Sequence, residues 1–146
     1  MSSVTHNNNI YIAGGATLPN GPVQIIRNLW KFDPQDLSLK KLSHMREKRN
    51  YVCMLVLNDE IYALGGHNRS NGGSPRVNTG EVYKISRNQW YPINPMNEIR
   101  SDFGAAVLDG KIYAVGGLDG FEPRNTVEMF TPATGSWKML PPMLCP

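Results

Sequence analysis

Two arginines, Arg49 and Arg100, stand 51 residues apart, and each opens a short polar and aromatic run, Arg49-Asn50-Tyr51 and Arg100-Ser101-Asp102-Phe103. A guanidinium presents a planar fork of donors that meets a carboxylate through two parallel hydrogen bonds. Tyr, Phe and Arg are residue types enriched where proteins touch one another. The chemistry expected of such a set is recognition rather than turnover. His6, His44 and His67 fall at unrelated positions with no carboxylate at catalytic or metal-ligand spacing, and Asp102 alone supplies no mechanism, so no metal, cofactor or enzymatic activity is expected. The pairs Gly14-Gly15, Gly65-Gly66 and Gly116-Gly117 lack the context of a phosphate-binding loop and read as structural glycines. Cys53 and Cys145, 92 positions apart, read as reduced thiols of a cytoplasmic protein. The triplet Asn68-Arg69-Ser70 would accept a glycan only on a secretory route.

These residues must be held by a repeating frame. Ile-Tyr-x-x-Gly-Gly occurs at 10–15, 61–66 and 112–117, with Tyr11, Tyr62 and Tyr113 spaced 51 and 51 apart. An aromatic follows at Phe32, Tyr83 and Phe130, seven residues later comes Leu39, Trp90 or Trp137, and six further on stands Met45, Met96 or Met143. Only the span from Tyr to that aromatic varies, at 21, 21 and 17 residues, which marks a surface loop. In the third copy four short β-rich runs stand out, Gly104 to Leu108, Ile112 to Val115, Val127 to Phe130 and Trp137 to Leu140. Asp109-Gly110 and Asn58-Asp59 suit two-residue hairpin turns that require positive φ. Each copy is thus a four-stranded antiparallel meander, too small to bury both faces alone, and the copies must stack as blades of a β-propeller. The blades are approximately 1–45, 46–96 and 97–146. Trp90 and Trp137 are expected to wedge between neighbouring blades.

Composition agrees. Fourteen Gly and 11 Pro in 146 residues favour turns over long helices, so the fold class is all-β. The net charge of +3 is unclustered, and no apolar run is long enough to cross a membrane, so neither nucleic acid nor membrane is an expected partner.

The combination of Arg-x-x-x-Gly, DGKIYAVGG, VEMF, a Trp seven residues on and a Pro-Met resembles the kelch repeat, most nearly that of the Kelch-like proteins that carry BTB domains. The first copy departs from it, with Trp30 where the others have Glu81 and Glu128, Leu39 in place of Trp, and polar MSSVTH where an inner strand belongs. That strand is expected to be short or borrowed.

Strand alternation puts the loops 16–28, 67–79 and 118–126 on one rim face with the two arginine runs. The candidate partner-binding residues are therefore Arg49, Asn50, Tyr51, Arg100, Ser101, Asp102 and Phe103, with His67, Asn68, Arg69, Phe121 and Arg124 from the loops. The resemblance implies that this face recognises a short, acidic target motif, while BTB and BACK domains outside this chain dock a cullin ubiquitin ligase. An actin-associated kelch scaffold is the alternative. Three blades form only an arc, half of a six-bladed ring, so either the chain is half of a longer protein or two copies close the ring, a homodimer being the expectation for the isolated chain.

Overall fold

The computed structural model describes residues 1–18, 20–68 and 75–146. In chain order β1 (Ser2–His6) and β2 (Asn9–Ala13) are followed by the two-residue rim strands β3 (Ala16–Thr17) and β4 (Gln24–Ile25), then by β5 (Leu29–Asp33) and β6 (Ser38–Leu42). The second unit comprises β7 (Cys53–Leu57), β8 (Glu60–Leu64), β9 (Gly80–Lys84) and β10 (Gln89–Ile93), with one 3-10 turn at Ile85–Arg87. The third comprises β11 (Gly104–Leu108), β12 (Lys111–Val115), β13 (Val127–Thr131) and β14 (Ser136–Leu140). Each unit is a four-stranded antiparallel meander, ordered β1-β2-β5-β6, β7-β8-β9-β10 and β11-β12-β13-β14.

The turns follow from backbone chemistry. Asn7-Asn8, Asn58-Asp59 and Asp109-Gly110 join the first two strands of the three sheets with positive φ at both residues, the conformation whose twist matches that of the flanking strands. The first inner strand corrects the expectation drawn from its polarity. β1 is full length and pairs residue by residue with β2, from Ser2 opposite Ala13 to His6 opposite Asn9. Alternation needs only one inward apolar residue here, and Val4 supplies it, packed against the first core.

The sheets stack through two hydrophobic layers. Between the first and second lie Tyr11, Leu29, Met45, Met54, Ile61, Tyr83 and Trp90. Between the second and third lie Tyr62, Leu64, Met96, Phe103, Ile112 and Phe130. Wholly enclosed side chains such as Leu29, Ile61 and Ile112 contribute about 1.5–3 kcal/mol each. Both tryptophans bridge sheets as expected. Trp90 Nε1 donates to Ser43 O at 2.9 Å and Trp137 Nε1 to Asn94 O at 3.0 Å, each in the preceding unit. Among the described residues no helix is long and apolar enough to cross a membrane.

Candidate functional site

The connectors between sheets and the loops after the glycine pairs meet on one face. Asn50 N donates to His67 O at 2.9 Å, and His67 N donates back to Asn50 O at 2.7 Å. Ser101 and Leu118 exchange the same pair of bonds, both at 2.9 Å. The glycine pairs permit this approach. A Cβ on Gly65, whose φ is +59°, would lie 2.4 Å from Arg100 O. The structure thus brings Asn50, Tyr51, His67 and Asn68 together at one junction and Ser101, Asp102, Phe121 and Arg124 at the next. Arg69 lies outside the described residues.

The two arginines that organised the expected site do not face solvent. Arg49 is 1 % and Arg100 0 % exposed. Arg49 donates from Nε to Glu81 Oε1 (3.2 Å), from Nη1 to Gly65 O (2.8 Å) and Thr79 O (2.9 Å), and from Nη2 to Thr79 Oγ1 (3.1 Å). Arg100 repeats the set with Glu128 (3.0 Å), Gly116 O (2.6 Å), Thr126 O (3.1 Å) and Thr126 Oγ1 (2.9 Å). The carboxylates are met from both sides, since Glu81 Oε2 accepts from Arg46 N at 2.8 Å and Glu128 Oε2 from Asn97 N at 2.7 Å. Charges taken this far from water persist only when paired and fully hydrogen-bonded. Every donor named is committed to the protein itself, which removes Arg49 and Arg100 as ligands for a target carboxylate.

Their role is to join sheets. The backbone of Arg49 belongs to the first sheet, donating to Ile26 O at 3.1 Å and accepting from Gly15 N at 2.8 Å, while its side chain is seated in the second. Arg100 links the second sheet to the third in the same way. The signal available in the sequence was the joint recurrence of Arg with Glu in two copies, set against Trp30 in the first.

Two further candidates are also internal. Phe103 packs in the second core, and Ser101 is enclosed, accepting from Arg76 Nε at 2.7 Å and donating to Asp102 Oδ2 at 2.8 Å. Asn68 and Arg124 are half-buried, Asn68 Nδ2 donating to Glu47 Oε2 at 3.5 Å and Arg124 bonded to Asp119.

The residues that do project are aromatic and polar. Tyr51 is 54 % exposed and holds a left-handed φ of +51°, its N–H donating to Asn50 Oδ1 at 3.0 Å. Asp102, at the same station one repeat later, has φ +54°. Phe121 is 95 % exposed. Its loop is a built one, because Asp119 Oδ1 accepts from Phe121 N (2.8 Å) and Glu122 N (3.0 Å). The backbone N–H groups of Glu122 and Phe121, with Arg124 alongside, hold the Asp119 carboxyl below its usual range. Val23, Ile25, Asn50, Tyr51 and His67 line a cleft of about 240 Å³ beside the first junction.

Comparison with known proteins accords with this architecture. The Kelch motif family model matches residues 48–97 and 99–144. The chain is 32 % identical over 114 residues to a Kelch repeat and BTB domain-containing protein of Caenorhabditis elegans, covering 75 % of this chain and 19 % of that protein. It is 34 % identical over 99 residues to Kelch-like protein 26 of Danio rerio, covering 67 % of this chain and 16 % of that one. It therefore spans about a fifth of the length of the curated relatives it matches. Among solved structures, that of YjhT aligns with a TM-score of 0.85 at 17 % identity, covering 99 % of this chain and 52 % of YjhT, a likeness of fold. With two matched repeats, a third of the same spacing and three stacked antiparallel blades, the chain belongs to the Kelch motif family, as a Kelch-like β-propeller protein.

Proposed function

We propose that the chain is a protein-interaction module whose rim face recognises a segment of a target protein, and that it serves as the recognition part of a BTB-containing ubiquitin-ligase adaptor. The observation that carries this reading is the exposure of Tyr51 and Phe121 on neighbouring rim junctions, each held by local hydrogen bonds rather than left loose. Exposed aromatics with few rotatable bonds make strong anchors when a partner covers them. Because both rim arginines are consumed internally, the target contact rests on aromatic and apolar side chains, with Asn50 and Asp102 available for hydrogen bonds. The adaptor role draws on the similarity to a protein whose name includes a BTB domain. Cullin engagement belongs to domains outside this chain. A cytoplasmic setting suits the free thiols of Cys53 and Cys145.

A peptide-display selection on the immobilised chain tests the rim. Selected peptides should lose at least tenfold in affinity toward a Tyr51→Ser, Phe121→Ser variant, and peptides indifferent to both changes would remove the rim from the site. Co-sedimentation with purified filamentous actin separates the scaffold alternative, which requires binding there.

A further inference from the structure

The two rim junctions carry charge of opposite sign. The connectors 46–51 and 97–102 occupy the same stations of successive repeats, yet Arg46, Lys48 and Tyr51 of the first become Asn97, Ile99 and Asp102 of the second. At the first junction Arg27 joins the exposed Arg46 and Lys48, its carbonyl accepting from Met45 N at 2.8 Å. Glu47, the acid between them, is held by Thr79 Oγ1 at 2.8 Å and Arg49 Nη2 at 3.3 Å. At the second junction Glu98, Asp102, Asp119 and Glu122 stand with two half-buried arginines. Of these, Arg76 Nε donates to Ser101 Oγ at 2.7 Å, and Arg124 pairs with Asp119 and Glu122. The buried pairs Arg49–Glu81 and Arg100–Glu128 cancel internally. Among the described residues the rim therefore runs from basic at the first junction to acidic at the second.

The cleft of Val23, Ile25, Asn50, Tyr51 and His67 lies between these poles. On its basic side, Ile26 and Arg27 run beside Met45 to Arg49 through backbone hydrogen bonds. On the other side His67 bridges to Arg76, Arg76 reaches Ser101, and Ser101 Oγ donates to Asp102 Oδ2 at 2.8 Å. The lining holds no carboxylate, lysine or arginine, so the cleft itself suits an uncharged side chain. Its volume of about 240 Å³ falls short of the roughly 300–1,000 Å³ of small-molecule sites, and fits one side chain of a larger partner. Resting on the reading of the rim as the recognition face, we propose that this cleft anchors one apolar side chain of a target segment whose charges are divided about it. The acidic flank of that segment lies toward Arg27, Arg46 and Lys48, and the basic flank toward Asp102 and Glu122. A segment of uniform charge meets like charge at one junction, which counts against it, whereas a divided segment gains at both. The flanking charges are exposed and screened by salt, while the anchor is not.

A display library of short random peptides, selected in parallel on the immobilised chain and on two charge-altered variants, reads this chemistry directly. Against the unaltered chain the enriched peptides should share a central apolar residue with acids on one side and bases on the other. Arg46→Glu, Lys48→Glu should exchange the acids for bases and leave the other flank alone, and Asp102→Asn, Glu122→Lys should do the converse. All four positions are exposed, so the circular dichroism of the variants should match that of the parent. Titration with one enriched synthetic peptide should show an affinity that falls with added salt, and at least tenfold in Val23→Glu, a change at a side chain 48 % exposed. Peptides that need Tyr51 and Phe121 but share no divided charge, keep their pattern against both charge variants, or ignore Val23→Glu would overturn the inference and leave the rim as the recognition face. Peptides indifferent to Tyr51→Ser, Phe121→Ser would overturn both.

Discussion

Arg100 Nε lies 3.0 Å from Glu128 Oε1, with both side chains shut off from solvent and each belonging to a different sheet by its backbone. Arg100→Ala leaves the Glu128 charge buried without its cation, and breaking such a pair costs about 3–5 kcal/mol. Urea denaturation should show a loss of that size. The double variant Arg100→Met, Glu128→Leu should be less damaging than Arg100→Ala, because neither charge is then stranded. A loss below about 1 kcal/mol in Arg100→Ala would return the residue to the list of surface ligands.

Trp90→Ala removes a side chain that is 6 % exposed, together with the hydrogen bond to Ser43 O. About 3–5 kcal/mol is expected, most of a small domain's stability. Trp137→Ala should cost less, its indole being only half-buried. Thermal melting of the two variants orders them.

Tyr51 combines exposure with strain. A left-handed φ costs a residue with a Cβ about 1–2 kcal/mol, and glycine avoids that cost at the expense of about 0.5–1 kcal/mol in unfolded-chain freedom. Tyr51→Gly should therefore leave stability unchanged or raise it by about 1 kcal/mol, while weakening target binding by tenfold or more. Paired melting and titration measurements check both halves, and a drop in stability with binding intact would reverse the assignment.

Burial pushes the Cys53 thiol up to about 11. It raises Tyr62 and Tyr83 to about 12, helped by the Glu60 charge at Tyr62 and by Tyr11 at Tyr83. In all three the folded state favours the neutral, protonated form. The unfolded chain loses these protons first, so stability is complete below about pH 9 and declines as pH rises through 9 to 12. Denaturation midpoints at pH 8 and 10.5 should show it. At pH 8 a thiol reagent should modify the exposed Cys145 and spare Cys53.

What could be read from the residues alone was what depends on local backbone chemistry. Asn58-Asp59 and Asp109-Gly110 announce their turns because few other residues tolerate positive φ in succession. The recurring Gly-Gly announces a close approach, and the Tyr and Trp spacings announce stacked sheets. Side-chain direction after a connector is not local. Whether Arg49 turns outward or inward depends on the Gly65 carbonyl and on Glu81, which lies 32 residues further on. A recurring arginine therefore reads equally well as a ligand or as a clamp until its carboxylate is placed. The same holds for β1, where a single inward Val4 suffices and a polar hexapeptide conceals a complete strand. Phe121 was legible as a loop residue, but its full exposure follows from the Asx turn at Asp119.

The inter-sheet clamps also bear on the order in which the chain is made. Each arginine precedes in sequence the carboxylate it neutralises, Arg49 before Glu81 and Arg100 before Glu128. A polypeptide growing from its N-terminus has therefore already produced the cation when each buried anion emerges, and the first sheet, with Trp30 at that station, makes no such demand. Every sheet can be sealed onto its predecessor as soon as its third strand exists. No intermediate on that path has to bury a carboxylate whose partner is still unsynthesised.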